Sequence, residues 1–342
     1  MIYSWIMDSG GAGRGAWQGG VLYEFMRWSR ENRRFPTITM GASAGGYAAA
    51  DVATGTERTV MKGWTVWGKP EQLLYADKRT YGRHRHRNNF RKHLSASIFY
   101  VMEETEQDGV FNGDAERKLL VFTTRVRRKD GKPFKGFDRL RYCMKTATRK
   151  FPRGLKYFPG SYVEEPVIFA TNLPPELQSE YVRTLTREKY HAVIEASCLV
   201  PIAMGYPLLP EELSDSLYET DRRSVFFDGS YTLKMPMGIF EEDARFLDLA
   251  QWAGAEKTIV FCCDPEGRLW ENSMRLRSLN GVPNVQRDIE ENRLLIIYPD
   301  HKVEAGFLCT DNAVIMRTFN RGREQGQRLL QAEKVRDFFN EK

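Results

Sequence analysis

The sequence predicts an α/β fold, a three-layer α/β/α sandwich with a mainly parallel central sheet. Two observations support this prediction. The chain opens with strand, glycine-rich loop and helix, twice in succession, and later apolar runs of strand length alternate with helical or polar stretches. Strands that alternate with helices form parallel sheets covered on both faces. The predicted strands are residues 2–7, 36–40, 119–124, 167–171, 224–227, 258–263 and 294–298.

Length and composition indicate one globular unit. The chain has 342 residues, of which 42% are hydrophobic and 28% charged, and this excludes a disordered, collagenous or coiled-coil protein. We expect a single α/β domain over residues 1–342. Residues 61–162 interrupt the alternation and are predicted to be a basic, lid-like insertion around one strand, and residues 311–342 a C-terminal helix with an Asp/Asn cap.

Hydropathy and cysteine content indicate the cellular compartment of the protein. No apolar run approaches the roughly 18 residues that a membrane span needs, and the N-terminus lacks the basic and long apolar regions of a secretory signal. The five cysteines are an odd number without metal-ligand spacing, so we expect reduced thiols and no structural zinc. These features predict a cytoplasmic protein.

Basic charge is concentrated in the middle of the chain. The formal net charge is +6, but the run from Lys78 to Lys92 carries seven Lys/Arg and no acid, and the run from Arg125 to Lys156 carries thirteen against two acids. Such runs attract nucleic acid or anionic lipid headgroups. No nucleic-acid-binding motif accompanies them, so we expect no nucleic acid and predict a peripheral contact with an anionic membrane; a solvated face is the alternative.

A nucleophile motif is the strongest chemical signal. Gly41, Ser43 and Gly45 form G-x-S-x-G between a predicted strand and a predicted helix. A nucleophilic serine needs a sharp strand-to-helix turn that lifts its Oγ above the sheet, and small neighbours permit that turn. Ser43 is therefore the candidate nucleophile, whereas the simpler reading is a tight glycine turn with an incidental serine.

A glycine-rich loop over residues 10–15 lies at the first strand–helix junction. Backbone N–H groups at a helix N-terminus favour negative charge, as in a dinucleotide phosphate site or an oxyanion hole. A dinucleotide site also needs an acid at the end of the second strand, but that strand leads into Gly41-Ala42-Ser43. The oxyanion hole fits better.

A carboxylate follows a third strand. Asp228, with Gly229 and Ser230 behind it, ends the apolar run 225–227, at the strand edge where catalytic groups of open α/β sheets collect. An isolated Asp-Gly is more often only a turn, so this signal depends on the other two motifs.

Four segments in order resemble the motifs of the patatin-like phospholipases. Residues 10–15 are similar to the G-G-G-x-R-G oxyanion loop of that family, and residues 41–45 to its nucleophile elbow. Asp228-Gly229 resembles the D-G-G/A motif, and residues 196–201 resemble the A-S-x-x-x-P segment. Met235-Pro236 is similar to the short continuation after the aspartate. The resemblance spans residue 10 to about residue 236.

The resemblance implies a patatin-like fold and a Ser43–Asp228 dyad that cleaves fatty-acyl esters of phospholipids without a metal or organic cofactor. Two positions depart from the motifs, since Ala12 replaces the third loop glycine and Ser230 stands last in D-G-G/A. Both are small, so we expect catalysis to survive. The implied oxyanion hole comprises Gly10, Gly11, Ala12, Gly13 and Ala44, and the supporting elbow and loop residues are Gly41, Gly45, Arg14, Gly15 and Gly229.

Two alternatives remain from the sequence. In the first, Ser43, Asp228 and His301 form the triad of an α/β-hydrolase esterase or thioesterase, since they occur in that chain order and His301 follows a predicted strand. Ser43 lies after only one earlier strand, which is early for that fold. In the second, the chain is a basic nucleic-acid- or membrane-binding module without activity.

Overall fold

The computed structural model has the predicted layers, and a strand overlaps each of the seven predicted strands. It describes residues 1–67, 89–113, 117–134, 137–138, 140–142, 161–175, 178–200, 213, 223–232, 255–271, 275–279 and 282–340. The strands are β1 (Tyr3–Met7), β2 (Ile38–Ala42), β3 (Lys118–Arg128), β4 (Tyr162–Ala170), β5 (Val182–Thr184), β6 (Ser224–Asp228), β7 (Lys257–Phe261), β8 (Leu269–Glu271), β9 (Arg275–Arg277) and β10 (Leu294–Ile297).

Within the described residues, eight strands form one sheet. Seven of them follow the order β10-β7-β1-β2-β3-β4-β5, and the eighth, β6, also pairs with β3. From β10 to β3 every pairing is parallel, which confirms the mainly parallel sheet. Strands β4 and β6 run antiparallel to β3. Every residue of β1 and β2 is buried, as expected for central strands covered on both faces.

Helices cover both faces of the sheet and make three layers. The main core lies between one face and most of the helices, and a second core on the opposite face includes Leu269, Leu279 and Val285. The helices are α1 (Gly11–Glu31), α2 (Ala44–Ala53), α3 (Glu57–Trp67), α4 (Asn89–Val101), α5 (Glu104–Phe111), α6 (Tyr190–Cys198), α7 (Pro283–Glu290), α8 (Asn312–Gln331) and α9 (Glu333–Phe339).

The end of the chain folds as two helices where one was expected. The predicted cap is present, because the Asp311 carboxylate accepts hydrogen bonds from the N–H groups of Ala313 and Val314 at the start of α8. The helix stops at Ala332, whose extended backbone breaks the run before α9. No helix in the described part of the chain is both long and apolar enough to cross a bilayer.

The described parts of residues 61–162 contribute to the core. They include most of α3, all of α4, α5 and the central strand β3, and apolar residues such as Leu94 and Ile98 belong to the main core. The run from Lys78 to Lys92 lies outside the described residues except for the backbone of its last four positions.

Three arginines at the start of the second basic run pair with acids. Arg125 and Arg127 both contact the Glu165 carboxylate at 2.9 Å, and Arg128 pairs with Asp130 and Asp138. Their positive charges are therefore largely neutralised within the protein.

Candidate active site

The ends of β2 and β6 meet along the same edge of β3. The last residue of β2, Ala42, pairs with Phe122, and the last residue of β6, Asp228, pairs with the next position, Thr123. Because β2 runs parallel and β6 antiparallel to β3, the carboxyl ends of both strands point at each other. Ser43, which follows Ala42, is thereby brought beside Asp228.

Ser43 occupies a sharp turn between β2 and α2. Its backbone has φ 58° and ψ −133°, a left-handed conformation that is uncommon for a residue with a side chain. A Cβ at Gly41 would collide with the Gly45 carbonyl, and one at Gly45 would collide with the Met7 carbonyl. The two glycines of the motif therefore permit the close turn that the sequence predicts.

Asp228 is fully buried next to this turn. Its Oδ1 accepts hydrogen bonds from the Ser230 hydroxyl at 2.6 Å and the Ser230 N–H at 2.9 Å. Burial raises the pKa of this carboxyl to about 6, and the hydroxyls of Ser230 and Ser43 oppose that rise. Oδ2 has no hydrogen-bond partner of ordinary length among the described residues. It is the carboxylate oxygen left available for the Ser43 hydroxyl.

The backbone at Asp228 and Gly229 packs closely against β3. A Cβ at Gly229 would collide with the Phe122 carbonyl, so glycine permits this approach. The Thr124 hydroxyl donates a hydrogen bond of 2.8 Å to the Asp228 carbonyl. Ser230, expected from the sequence to be a tolerated departure from the D-G-G/A motif, thus donates two hydrogen bonds directly to the Asp228 carboxylate.

Of residues 10–15, which were predicted to be a loop before the helix, only Gly10 precedes α1, and the other five are the first residues of that helix. Helix α1 begins at Gly11, and the first N–H groups of a helix have no partner within it. The Gly13 N–H faces the Phe307 carbonyl at 3.5 Å, and the Gly10 N–H faces the buried thiol of Cys263. Gly11 and Ala12 instead share a cleft with Ser43 and with Ala44, the first residue of α2.

A segment near the C-terminus, residues 306–309, packs against this loop. Gly11 has φ +77°, and a Cβ there would collide with the Phe307 ring. A Cβ at Gly13 would collide with the Gly306 carbonyl, and one at Gly15 would lie 2.6 Å from the Trp64 ring. Trp67 Nε1 donates to the Cys309 carbonyl at 3.2 Å. The loop glycines thus let the segment and α3 approach closely.

Arg14 braces the loop from its other side. Its guanidinium donates a hydrogen bond of 3.2 Å to the Gly10 carbonyl and stacks 3.7 Å from the centre of the Trp270 ring.

Asp8, which precedes the loop, accepts hydrogen bonds from the N–H groups of Ser9, Cys263 and Trp270. Burial raises the pKa of Asp8 to about 7.

The cleft that contains Ser43 is predominantly apolar. Its walls include Tyr47, Trp64, Trp67, Leu94 and Phe307. None of these residues was predictable as part of the site, since isolated aromatic or apolar residues in a helix or a polar loop give no catalytic signal.

No histidine is among the described residues that line this cleft. His301 instead lines a separate, polar cleft with Trp17 and Gln325 and is exposed to solvent. His191 stacks on Phe99 and faces the Met102 carbonyl at 2.9 Å.

In the A-S-x-x-x-P segment, Ser197 and Cys198 form hydrogen bonds with the Ser43 backbone, and Cys198 lines the cleft. Pro201, Met235 and Pro236 lie outside the described residues.

No curated protein matches the chain. A family model described as patatin-like phospholipase matches residues 6–240, which include the glycine-rich loop, the Ser43 turn and Asp228. The match covers more than half of the chain, and the protein therefore belongs to the patatin-like phospholipase family.

Proposed function

We propose that the protein is a serine acyl hydrolase of the phospholipase A or lysophospholipase type. It cleaves fatty-acyl esters of phospholipids through a dyad of Ser43 and Asp228. The observation that carries this proposal is the end-to-end arrangement of β2 and β6, which puts the strained Ser43 turn beside a buried carboxylate with one uncommitted oxygen.

In the proposed reaction, Asp228 acts first as general base. Its ionised carboxylate takes the Ser43 proton as Oγ attacks the ester carbonyl, and an Oγ–C bond forms. The carbonyl oxygen becomes an oxyanion that accepts hydrogen bonds from the N–H groups of Gly11, Ala12 and Ala44. Asp228 then returns the proton to the departing alcohol, which leaves an acyl ester on Ser43.

The second half of the proposed reaction repeats this chemistry with water. Asp228 removes a proton from water, the resulting nucleophile attacks the acyl ester, and the same N–H groups hold the second oxyanion. Collapse of this intermediate releases the fatty acid and returns the proton to Ser43.

The apolar walls of the cleft support a fatty-acyl substrate. Trp64, Trp67 and Leu94 offer hydrocarbon and aromatic surface, which suits a fatty-acyl chain better than a polar one.

We also propose that the protein is a cytoplasmic enzyme that contacts anionic membranes through the runs Lys78 to Lys92 and Arg125 to Lys156. The paired arginines of the second run give that contact no support. Salt-sensitive binding to anionic vesicles, without binding to DNA, is the expected result.

The proposed function is tested by fatty-acid release from mixed phospholipid vesicles and by hydrolysis of a soluble aryl ester. We expect wild type to act on both substrates, Ser43→Ala and Asp228→Asn to lose both activities, and His301→Ala to keep them. Loss of activity in His301→Ala would favour the triad of an esterase or thioesterase instead. Activity on the aryl ester alone would refute the phospholipid substrate, and an inert wild type would refute the hydrolase.

A further inference from the structure

Asp8, the residue that follows β1, is a buried acid that the proposed reaction does not use. It is 2% exposed, and three backbone N–H groups converge on its carboxylate. Oδ1 accepts hydrogen bonds from Ser9 at 2.7 Å and from Trp270 at 3.0 Å, and Oδ2 accepts one from Cys263 at 3.1 Å. The carboxylate therefore joins the end of β1 to the chain just after β7 and to β8.

Strand β8 is also held by the residue next to Asp8. The Ser9 hydroxyl donates a hydrogen bond of 2.7 Å to the Trp270 carbonyl, while the Trp270 N–H donates to Asp8. Both backbone polar groups of Trp270 are therefore bound by the side chains of two consecutive residues. Trp270 lies beyond residues 6–240, so this contact comes from a part of the chain that the family match does not cover.

The Trp270 ring leads back to the start of α1. It stacks on the Arg14 guanidinium, which donates to the Gly10 carbonyl. Together with the bonds of Asp8 and Ser9, these contacts form a closed set around Gly10. We infer that a clamp positions the first N–H donors of α1 for the oxyanion, an inference that rests on the proposed function. The clamp consists of the side chains of Asp8, Ser9, Arg14 and Trp270.

The start of α1 needs such support because its own sequence provides little. Gly10 at the cap position makes no capping hydrogen bond through a side chain, and the first turn contains no acid. Three of the first five residues of the helix are glycines, which lose more conformational freedom on folding than other residues. The N–H groups proposed to hold the oxyanion belong to this turn, and their value depends on fixed positions.

An ionised carboxylate suits the position of Asp8 because all three groups that bind it are hydrogen-bond donors. An asparagine has only one side-chain oxygen, so its amide nitrogen would face an N–H donor. The negative charge of Asp8 also attracts the Arg14 guanidinium. Asp8→Asn therefore breaks the clamp at its buried end with almost no change in the size of the side chain.

Asp8→Asn is the first test. We expect kcat on a soluble aryl ester to fall by about tenfold to a hundredfold with KM nearly unchanged, because the oxyanion forms only after the substrate is bound. The affinity for a trifluoromethyl ketone should fall by a similar factor. Ser43 Oγ bonds to the carbonyl carbon of that inhibitor, Asp228 takes the proton, and the carbonyl oxygen becomes an oxyanion. An unchanged kcat, or a loss confined to KM, would overturn the inference.

Asp288→Asn is the matched control. Asp288 is 1% exposed and lies on α7, where its carboxylate pairs with Arg293. This helix packs on the opposite face of the sheet from α1. The variant also exchanges a buried, hydrogen-bonded carboxylate for an amide, and we expect its kcat to equal that of wild type. A fall in kcat as large as that of Asp8→Asn would overturn the inference.

Variants of Trp270 test the other end of the clamp. Trp270→Ala removes the surface on which Arg14 stacks and should lower kcat about tenfold, whereas Trp270→Phe keeps an aromatic face and should recover most of the loss. Since Asp8→Asn and Trp270→Ala disrupt one clamp, the double variant should lose little more kcat than the weaker of the two single variants. Additive losses, or no recovery in Trp270→Phe, would overturn the inference.

Hydrogen exchange provides a readout that does not depend on activity. In peptides covering residues 8–17 and 264–271, we expect faster amide exchange in Asp8→Asn than in wild type or Asp288→Asn, since N–H groups are released from the carboxylate. If wild type hydrolyses neither ester, the proposed function fails while exchange still decides the clamp. Unchanged exchange in Asp8→Asn would overturn the clamp in that case also.

Discussion

Removal of the Ser230 hydroxyl is expected to raise the pH at which the enzyme becomes active. In the proposed reaction only the ionised form of Asp228 takes the Ser43 proton, so kcat/KM should rise as pH increases through the pKa of this carboxyl, about 6. Among the interactions that lower this pKa, the 2.6 Å hydrogen bond from the Ser230 hydroxyl is the largest. Ser230→Ala deletes that bond and leaves the Ser230 N–H in place.

The size of the shift follows from the strength of the bond. A hydrogen bond to a charged group contributes about 1.5–3 kcal/mol, and one pKa unit corresponds to about 1.4 kcal/mol. The deleted bond stabilises the ionised carboxylate, so its loss raises the pKa by about one to two units. In a plot of kcat/KM against pH, the rise on the acidic side should therefore move from about pH 6 to between about pH 7 and pH 8.

The assay is the dependence of kcat/KM on pH between about pH 5 and pH 9, with an uncharged soluble aryl ester, because this parameter reports the groups of the free enzyme. Ser29→Ala serves as the control and should keep the wild-type limb, because it also removes a fully buried serine hydroxyl, but one on α1 that has no hydrogen-bond partner in the described part of the chain. A limb that does not move in Ser230→Ala, or that moves to lower pH, would refute Asp228 as the base.

Three further predictions concern stability and the cleft. Burial raises the folded-state pKa of Asp228 from 3.8 to about 6, so folding stability falls as pH rises through that interval. Asp228→Asn should therefore be inactive yet more stable in urea unfolding by up to about 3 kcal/mol at about pH 8, and the gain should vanish below about pH 3. Gly11→Ala should abolish ester hydrolysis and destabilise the protein by several kcal/mol, since the new Cβ would be held at a positive φ and would collide with the Phe307 ring. Gly131→Ala is the control: its φ is +69° but the space around it is open, so it should cost about 1–2 kcal/mol of stability and keep activity. Phe307→Ala widens the cleft and should raise kcat/KM for long-chain relative to short-chain aryl esters; an unchanged ratio would exclude Phe307 from the acyl site.

The Ser43 turn was predictable because its determinants are local. A strand, two glycines at fixed spacing and a following helix specify a positive φ at one residue, and the structure has φ 58° there. The C-terminal cap was predictable for the same reason, since Asp311 contacts N–H groups only two and three residues away.

The position of Asp228 was predictable only in part. Its place at a strand end is visible in the sequence, but alternation of strands and helices predicts parallel neighbours, whereas β6 is antiparallel to β3. That reversal aims Asp228 at Ser43. The short strand Val182–Thr184 and the contacts of Phe307 and Trp270 were not predictable, because they depend on tertiary packing between segments far apart in the chain.

A carboxylate can serve as the base of the proposed dyad only if it is more basic than an exposed aspartate. Burial provides this basicity, because an unfavourable environment for charge raises the pKa of Asp228 towards neutrality. Burial alone would raise this pKa further and keep the carboxyl protonated over a wider pH range, and the hydrogen bonds from Ser230 to Oδ1 oppose that rise. Since these bonds occupy only Oδ1, the second oxygen stays available to Ser43. The same burial that lowers folding stability thus prepares one oxygen atom to accept the nucleophile's proton.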